Sequence, residues 1–143
     1  MNADAVKFEL ADPSVVIRDD INASYVGTWP SFVNEVLYGG DGQYHEAGVG
    51  ANTATWTPLI LESGTYSVYA RWAAHSNRAT DAPYTINYNG GSETIDVNQE
   101  VNGGQWVLLG TYPFAAGTSG SVVLSDDANE YLNADAIKWE LQP

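Results

Sequence analysis

Between Thr65 and Ala74 the side chains alternate with a period of two. Tyr66, Val68, Ala70 and Trp72 fall to one side; Ser67, Tyr69 and Arg71 fall to the other. An extended strand with one buried face meets this period, because successive Cβ atoms along a strand point to opposite sides of the sheet. Val15-Val16-Ile17, Ala54–Leu59, Ala82–Tyr88, Thr94–Asn98, Gln105–Phe114, Ser121–Ser125 and Tyr131–Leu141 read as further strands. Turn chemistry separates them: Asp19–Asn22, Glu62-Ser63-Gly64, a tight hairpin at Asn89-Gly90-Gly91, Asn102-Gly103-Gly104 and the loop 116–120. Gly110 and Pro113 mark a bulge or a sheet edge. Residues 23–50 are rich in Gly, Asn, Ser and aromatics and read as long loops around one or two short strands. No helical period persists. Eight or nine short strands with frequent turns predict an all-β fold, an antiparallel β-sandwich of jelly-roll type.

The last strand carries two further signals. Asp135, Ile137, Trp139 and Leu141 share one face, so an apolar face has a carboxylate at its head. A buried carboxylate needs a partner, and Arg78 is the donor the sequence suggests. The strand is also a copy. Asn2–Leu10 recurs as Asn133–Leu141 with seven of nine positions identical, the changes being Val to Ile and Phe to Trp. The expected organisation is one unit of a tandem array: residues 1–14 are the last strand and linker of a preceding unit, and residues 15–143 are the module. The other reading is two similar strands of one domain. A unit carrying its predecessor's strand has two segments suited to one sheet position, which suggests strand exchange between neighbouring repeat units.

Charge excludes several partners. There are 5 Lys plus Arg against 18 Asp plus Glu, a formal charge of -13. Phosphate backbones are repelled, so nucleic acid is not expected, nor is an anionic membrane surface. No stretch is apolar enough for membrane insertion. Cysteine is absent, so there is no disulfide scaffold and no thiol chemistry.

Catalytic patterns are missing. The carboxylates are scattered, mostly beside turns, and nothing marks the opposed pair that glycoside hydrolysis requires. No Gly-x-Ser-x-Gly elbow accompanies His45, His75 or Ser76. Two histidines thirty residues apart, with no thiols, make no zinc pattern. No catalytic residue and no obligatory cofactor is expected. Asp126, Asp127, Asn129 and Glu130 form an oxygen-rich run, read either as a solvated turn or as a calcium site.

The aromatics point to binding. There are 9 Tyr and 5 Trp against 3 Phe, and rings with a polar edge suit sugar platforms as well as ordinary sheets. The candidate ligand-binding residues are Trp29, Tyr38, Tyr44 and His45 in the first loop region, with His75, Asn77 and Arg78 after the central strand. Trp29 is the leading platform; the competing reading has it plugging one end of the sandwich. Trp72, Trp139 and Trp106 read as core, and Tyr69 as outer face.

Several fragments together carry a family resemblance. They are Thr28-Trp29, Gly64–Trp72, Asn77–Thr80, Ala82–Ile86, Asn98-Gln99, Gly103–Trp106, Leu124-Ser125-Asp126 and Ala134–Ile137. Over roughly residues 15–141 this pattern resembles the golvesin C-terminal-like domain, also called the golvesin/xanthan-lyase carbohydrate-binding-like domain. The resemblance implies a β-sandwich accessory domain of secreted or cell-surface bacterial proteins, beside large extracellular enzymes, with a polysaccharide or glycan as partner. A spacer or assembly role in a repetitive protein is the alternative.

Overall fold

The structure, a computed structural model, describes residues 14–143. The copied segment 2–10 and linker residues 11–13 lie outside the described residues. Twelve strands lie among the described residues: β1 (Val15–Arg18), β2 (Ser24–Val26), β3 (Ser31–Val33), β4 (Asp41–His45), β5 (Thr53–Trp56), β6 (Gly64–Arg71), β7 (Ala82–Tyr88), β8 (Gly91–Val97), β9 (Val107–Phe114), β10 (Ser121–Ser125), β11 (Leu132–Ala134) and β12 (Ala136–Leu141). They form a four-stranded sheet β1-β12-β6-β9, a five-stranded sheet β2-β5-β10-β7-β8 and a small sheet β11-β4-β3. All pairings within the sheets are antiparallel, as a sandwich of jelly-roll type requires.

The alternation in β6 is obeyed. Tyr66, Val68, Ala70 and Trp72 are buried against Trp56, Tyr84, Ile86 and Leu124 of the opposite sheet. The Trp56 and Tyr84 rings stack at 6.4 Å with 18° between their planes. Burying a large apolar side chain contributes roughly 1.5–3 kcal/mol, so this aromatic layer is a principal source of stability. The tight turn Asn89-Gly90 joins β7 to β8, with Tyr88 paired to Gly91. The register of β6 on β9 slips between Val68 and Tyr69, leaving Leu109 as the extra residue beside Gly110. Pro113 lies on β9, an edge strand, where its missing N–H costs no ladder bond.

Three expectations change. The loop region 23–50 holds three short strands: β2 and β4 take partners from distant segments, β5 and β11, and β3 pairs with its neighbour β4. The last strand is two strands: β11 pairs with β4, then the chain breaks at Asp135, and β12 pairs with β6 and β1. The cation beside Asp135 is Arg71, whose Nε stands 3.9 Å from Asp135 Oδ2, and not Arg78. The reason is register: Arg71 lies directly across from Ala136, whereas Arg78 belongs to the loop beyond β6 and reaches the ring of Phe32.

Trp106 is a fourth correction. Trp72 and Trp139 are buried, but Trp106 is half-buried outside the core. It precedes β9 and lies near Arg71, Lys138 and Tyr38, with the guanidinium carbon 5.7 Å and the Lys138 ammonium 5.2 Å from its ring centre. The ammonium also sits 4.4 Å over Tyr69. These residues form a layer of rings and cations on the outer face of the four-stranded sheet.

Candidate functional site: an aromatic groove on the small sheet

The small sheet β11-β4-β3 carries a groove. Its larger part is a cavity of about 420 Å³ lined by Phe32, Tyr44, Asn77, Arg78 and Tyr131. An adjoining cavity of about 210 Å³ is lined by Thr28, Pro30, Tyr44, His45, Glu46 and Tyr131. Tyr44 and Tyr131 are walls common to both. Phe32 and Tyr44 come from neighbouring strands and meet edge to face at 5.8 Å and 76°. Tyr131 leads into β11 and approaches Tyr44 at 6.3 Å.

Arg78 is the only cation in either cavity lining. Its guanidinium carbon lies 5.8 Å from the centre of the Phe32 ring. Its Nη1 donates to Asn77 Oδ1 at 2.7 Å, and its Nε has no hydrogen-bond partner. Burial lowers its pKa from the ordinary guanidinium value, yet an arginine remains charged. Among the described residues no carboxylate lies within ion-pair distance of it. The partly desolvated guanidinium thus lines an open, ring-walled cavity, with its Nε buried.

The loop that holds Arg78 is fixed from below. Asn133 on β11 accepts the Ala73 amide through Oδ1 at 2.9 Å and donates to the Ala73 carbonyl at 3.1 Å. Gln99 donates from Nε2 to the Asn133 carbonyl at 3.0 Å and to the Tyr84 hydroxyl at 2.9 Å. The Ala79 amide then bonds the Tyr131 carbonyl at 2.6 Å, so Arg78 and Tyr131 lie side by side. Asn133 and Gln99 are fully buried, and such networks confer rigidity when their groups are paired.

Tyr44, His45, Asn77 and Arg78 are therefore brought together. Trp29 is not on the surface: it is 6% exposed, its Nε1 donates to the Val26 carbonyl at 3.1 Å, and its ring lies 5.1 Å from that of His45. Of the two readings left open for Trp29, its burial fits the plug. Tyr38 lies elsewhere, against Trp106. His75 is exposed and uses Nδ1 to accept the Asn77 amide at 3.3 Å, which shapes the turn before Arg78. Phe32 and Tyr131 line the groove without having been expected there. Their aromatic character was the only available signal.

The family profile of the golvesin C-terminal domain matches residues 15–141. The chain belongs to the golvesin C-terminal domain family. A xanthan lyase of Bacillus sp. (strain GL1) is 34% identical over 135 residues, which is 89% of this chain and 14% of the enzyme. The solved structure of a Paenibacillus xanthan lyase superposes with a TM-score of 0.87 at 42% identity, covering 92% of this chain and 13% of that one. The chain thus spans about one seventh of these relatives' length. A family 35 carbohydrate binding module from Clostridium thermocellum shares the fold, with a TM-score of 0.61 at 16% identity over 87% of this chain and 97% of the module.

In this golvesin-type domain the oxygen-rich run after β10 is a tether. Asp126 is buried and accepts from the Gly50 amide at 2.8 Å, the Asn52 side chain at 2.9 Å and the Asn52 amide at 3.4 Å. His45 Nδ1 stands 3.5 Å away. Burial alone would raise the pKa of Asp126, but these hydrogen bonds and His45 outweigh it and hold the carboxyl below its ordinary value. Asn129 instead faces Thr80 and Asp81. The run is therefore not drawn together as a set of calcium ligands. It anchors the loop after His45 to the wall of the groove.

Proposed function

We propose that this domain is a non-catalytic carbohydrate-binding accessory module whose ligand lies in the groove of Phe32, Tyr44 and Tyr131. The observation that carries the reading is the meeting of these ring walls with the Arg78 guanidinium and the Asn77 amide in one open cavity. A sugar's C–H face packs on a flat ring, while guanidinium and amide groups bind its hydroxyl or carboxylate oxygens. The xanthan lyase relatives act, by name, on a polysaccharide, and both are bacterial; that likeness supports a glycan partner and a place at the outside of a bacterial cell. Glycan-array binding followed by calorimetry tests it. Saturable binding, lost in Tyr44→Ala and Arg78→Ala while the fold survives, is expected; absence of binding to any neutral or acidic glycan overturns it.

A second reading rests on the copied strand. β12 lies between β1 and β6 and pairs with both, and residues 4–10 repeat the sequence of that inner position with its break. This supports, as a separate role, assembly of neighbouring units by strand exchange. A strictly monomeric profile at high concentration counts against it.

A further inference from the structure

The carboxylates of Asp19, Asp20 and Asp135 converge from distant parts of the chain, each offering an oxygen within 4.8 Å of the others. Asp19 and Asp20 form the turn after β1; Asp135 is the break between β11 and β12. This cluster is internal, with Asp20 4% and Asp135 0% exposed. Part of it is held by the protein. Asp19 Oδ1 accepts the Asp20 amide at 2.7 Å, and Asp135 Oδ2 accepts the Tyr38 amide at 3.0 Å. The remaining oxygens of the two buried groups, Asp20 Oδ1 and Asp135 Oδ1, receive no hydrogen bond among the described residues. Arg71 is the cation at hand, and it stands 3.9 Å from the other oxygen of Asp135 while donating to the Val36 carbonyl. One guanidinium does not balance three carboxylates, and buried carboxylate oxygens without a partner are costly.

We propose that Asp19, Asp20 and Asp135 form a binding site for one divalent cation of the calcium type. The donors are all hard oxygens, and the group contains neither His nor Cys, which argues against zinc. Calcium accepts six to eight oxygens in flexible geometry, whereas magnesium demands a regular octahedron and retains its waters. Asp41 lies close enough to raise the pKa of Asp20, and a hydrogen bond from the Gln43 side chain opposes that rise. Burial first, then the neighbouring carboxylates, push Asp135 up to about 8, and burial is also the main cause that pushes Asp20 up to about 7. A bound dication opposes that pressure. Such an ion ties the end of β1 to the point where the chain passes from the small sheet to the four-stranded sheet. It shares no residue with the aromatic groove, so its test is independent of glycan binding.

The test uses the full chain, stripped with chelator and titrated with calcium chloride in a calorimeter, with magnesium chloride as a parallel arm. Saturable binding of one calcium ion is expected, with weaker binding of magnesium. At calcium about a hundredfold above Kd, a rise in Tm of about 5–10 °C should accompany it. Asp20→Asn and Asp135→Asn should each weaken binding at least tenfold. Should either variant fail to fold, terbium luminescence of the unaltered chain decides. Tyr25, whose hydroxyl donates to the Asp20 carbonyl at 2.7 Å, should sensitise terbium emission that calcium then displaces. The assignment is overturned by no saturable calcium binding, by equal affinity for magnesium, by binding unchanged in both Asn variants, or by no calcium-displaceable terbium signal.

Discussion

Gln99 grips both sides of the Asn133 backbone: its Oε1 accepts the Asn133 amide at 2.9 Å and its Nε2 donates to the Asn133 carbonyl at 3.0 Å. Both side chains are fully buried. A loop residue after β8 thereby takes the place of a missing strand partner for β11. Gln99→Ala leaves two buried backbone groups unpaired and should cost roughly 2–4 kcal/mol. Denaturant unfolding measures that loss. Because Asn133 also holds Ala73, the amides near Arg78 should exchange faster in the variant.

Arg78 should discriminate between guanidinium and ammonium. Its planar group lies over Phe32 and bonds Asn77, a geometry that lysine does not reproduce. Arg78→Lys and Arg78→Ala should each weaken glycan binding at least tenfold while changing Tm little. Retention of full affinity by the lysine variant would show that bare charge suffices.

Acid should release the loop after His45. The Asp126 pKa is depressed from its ordinary 3.8, so the group contributes stability above that value and loses it as pH falls through the lower, folded-state pKa. Unfolding curves of the native chain and Asp126→Asn, taken from about pH 6 down to about pH 2, should converge as the carboxyl protonates. Parallel curves across that range would contradict the assignment.

Gly48 tests the same tether from the other side. A Cβ at this position would run into the Asp126 carboxylate, which already accepts three hydrogen bonds. Gly48→Ala should lower stability by about 1–3 kcal/mol, and combining it with Asp126→Asn should cost less than the sum. A double-mutant cycle reads the difference.

Trp72 and Trp106 should separate core from outer face. Trp72 is 1% exposed and donates from Nε1 to the Val101 carbonyl at 2.9 Å. Trp72→Ala should cost about 3–5 kcal/mol. Trp106→Ala should cost less than half of that, since its half-buried ring makes mainly surface contacts with Arg71 and Lys138. Equal losses would place Trp106 in the core after all.

Much of the sandwich was legible because strand signals are local. The period of two in 66–72, the Asn89-Gly90 turn and the bulge at Gly110 each depend on a few adjacent residues. Trp106 shows the limit. In the run Gln105–Phe114 a period of two puts it in phase with the buried Tyr112 and Phe114, but the bulge at Leu109 shifts that phase, so residues before the bulge face the other way. Arg78 shows another. Its distance from Asp135 depends on how β6 and β12 align, which composition does not specify. In the groove, Tyr44, His45, Asn77 and Arg78 could be chosen as polar or aromatic loop residues. Phe32 and Tyr131 could not be told from other aromatics until β3, β4 and β11 paired.

Sequence alone determined the strand class, most turns, the inward face of β6 and the family pattern, because these follow from residue periods and short-range backbone preferences. Tertiary structure decided which rings share a wall, which cation meets Asp135 and which carboxylates converge, because those depend on strand pairing between segments far apart in the chain.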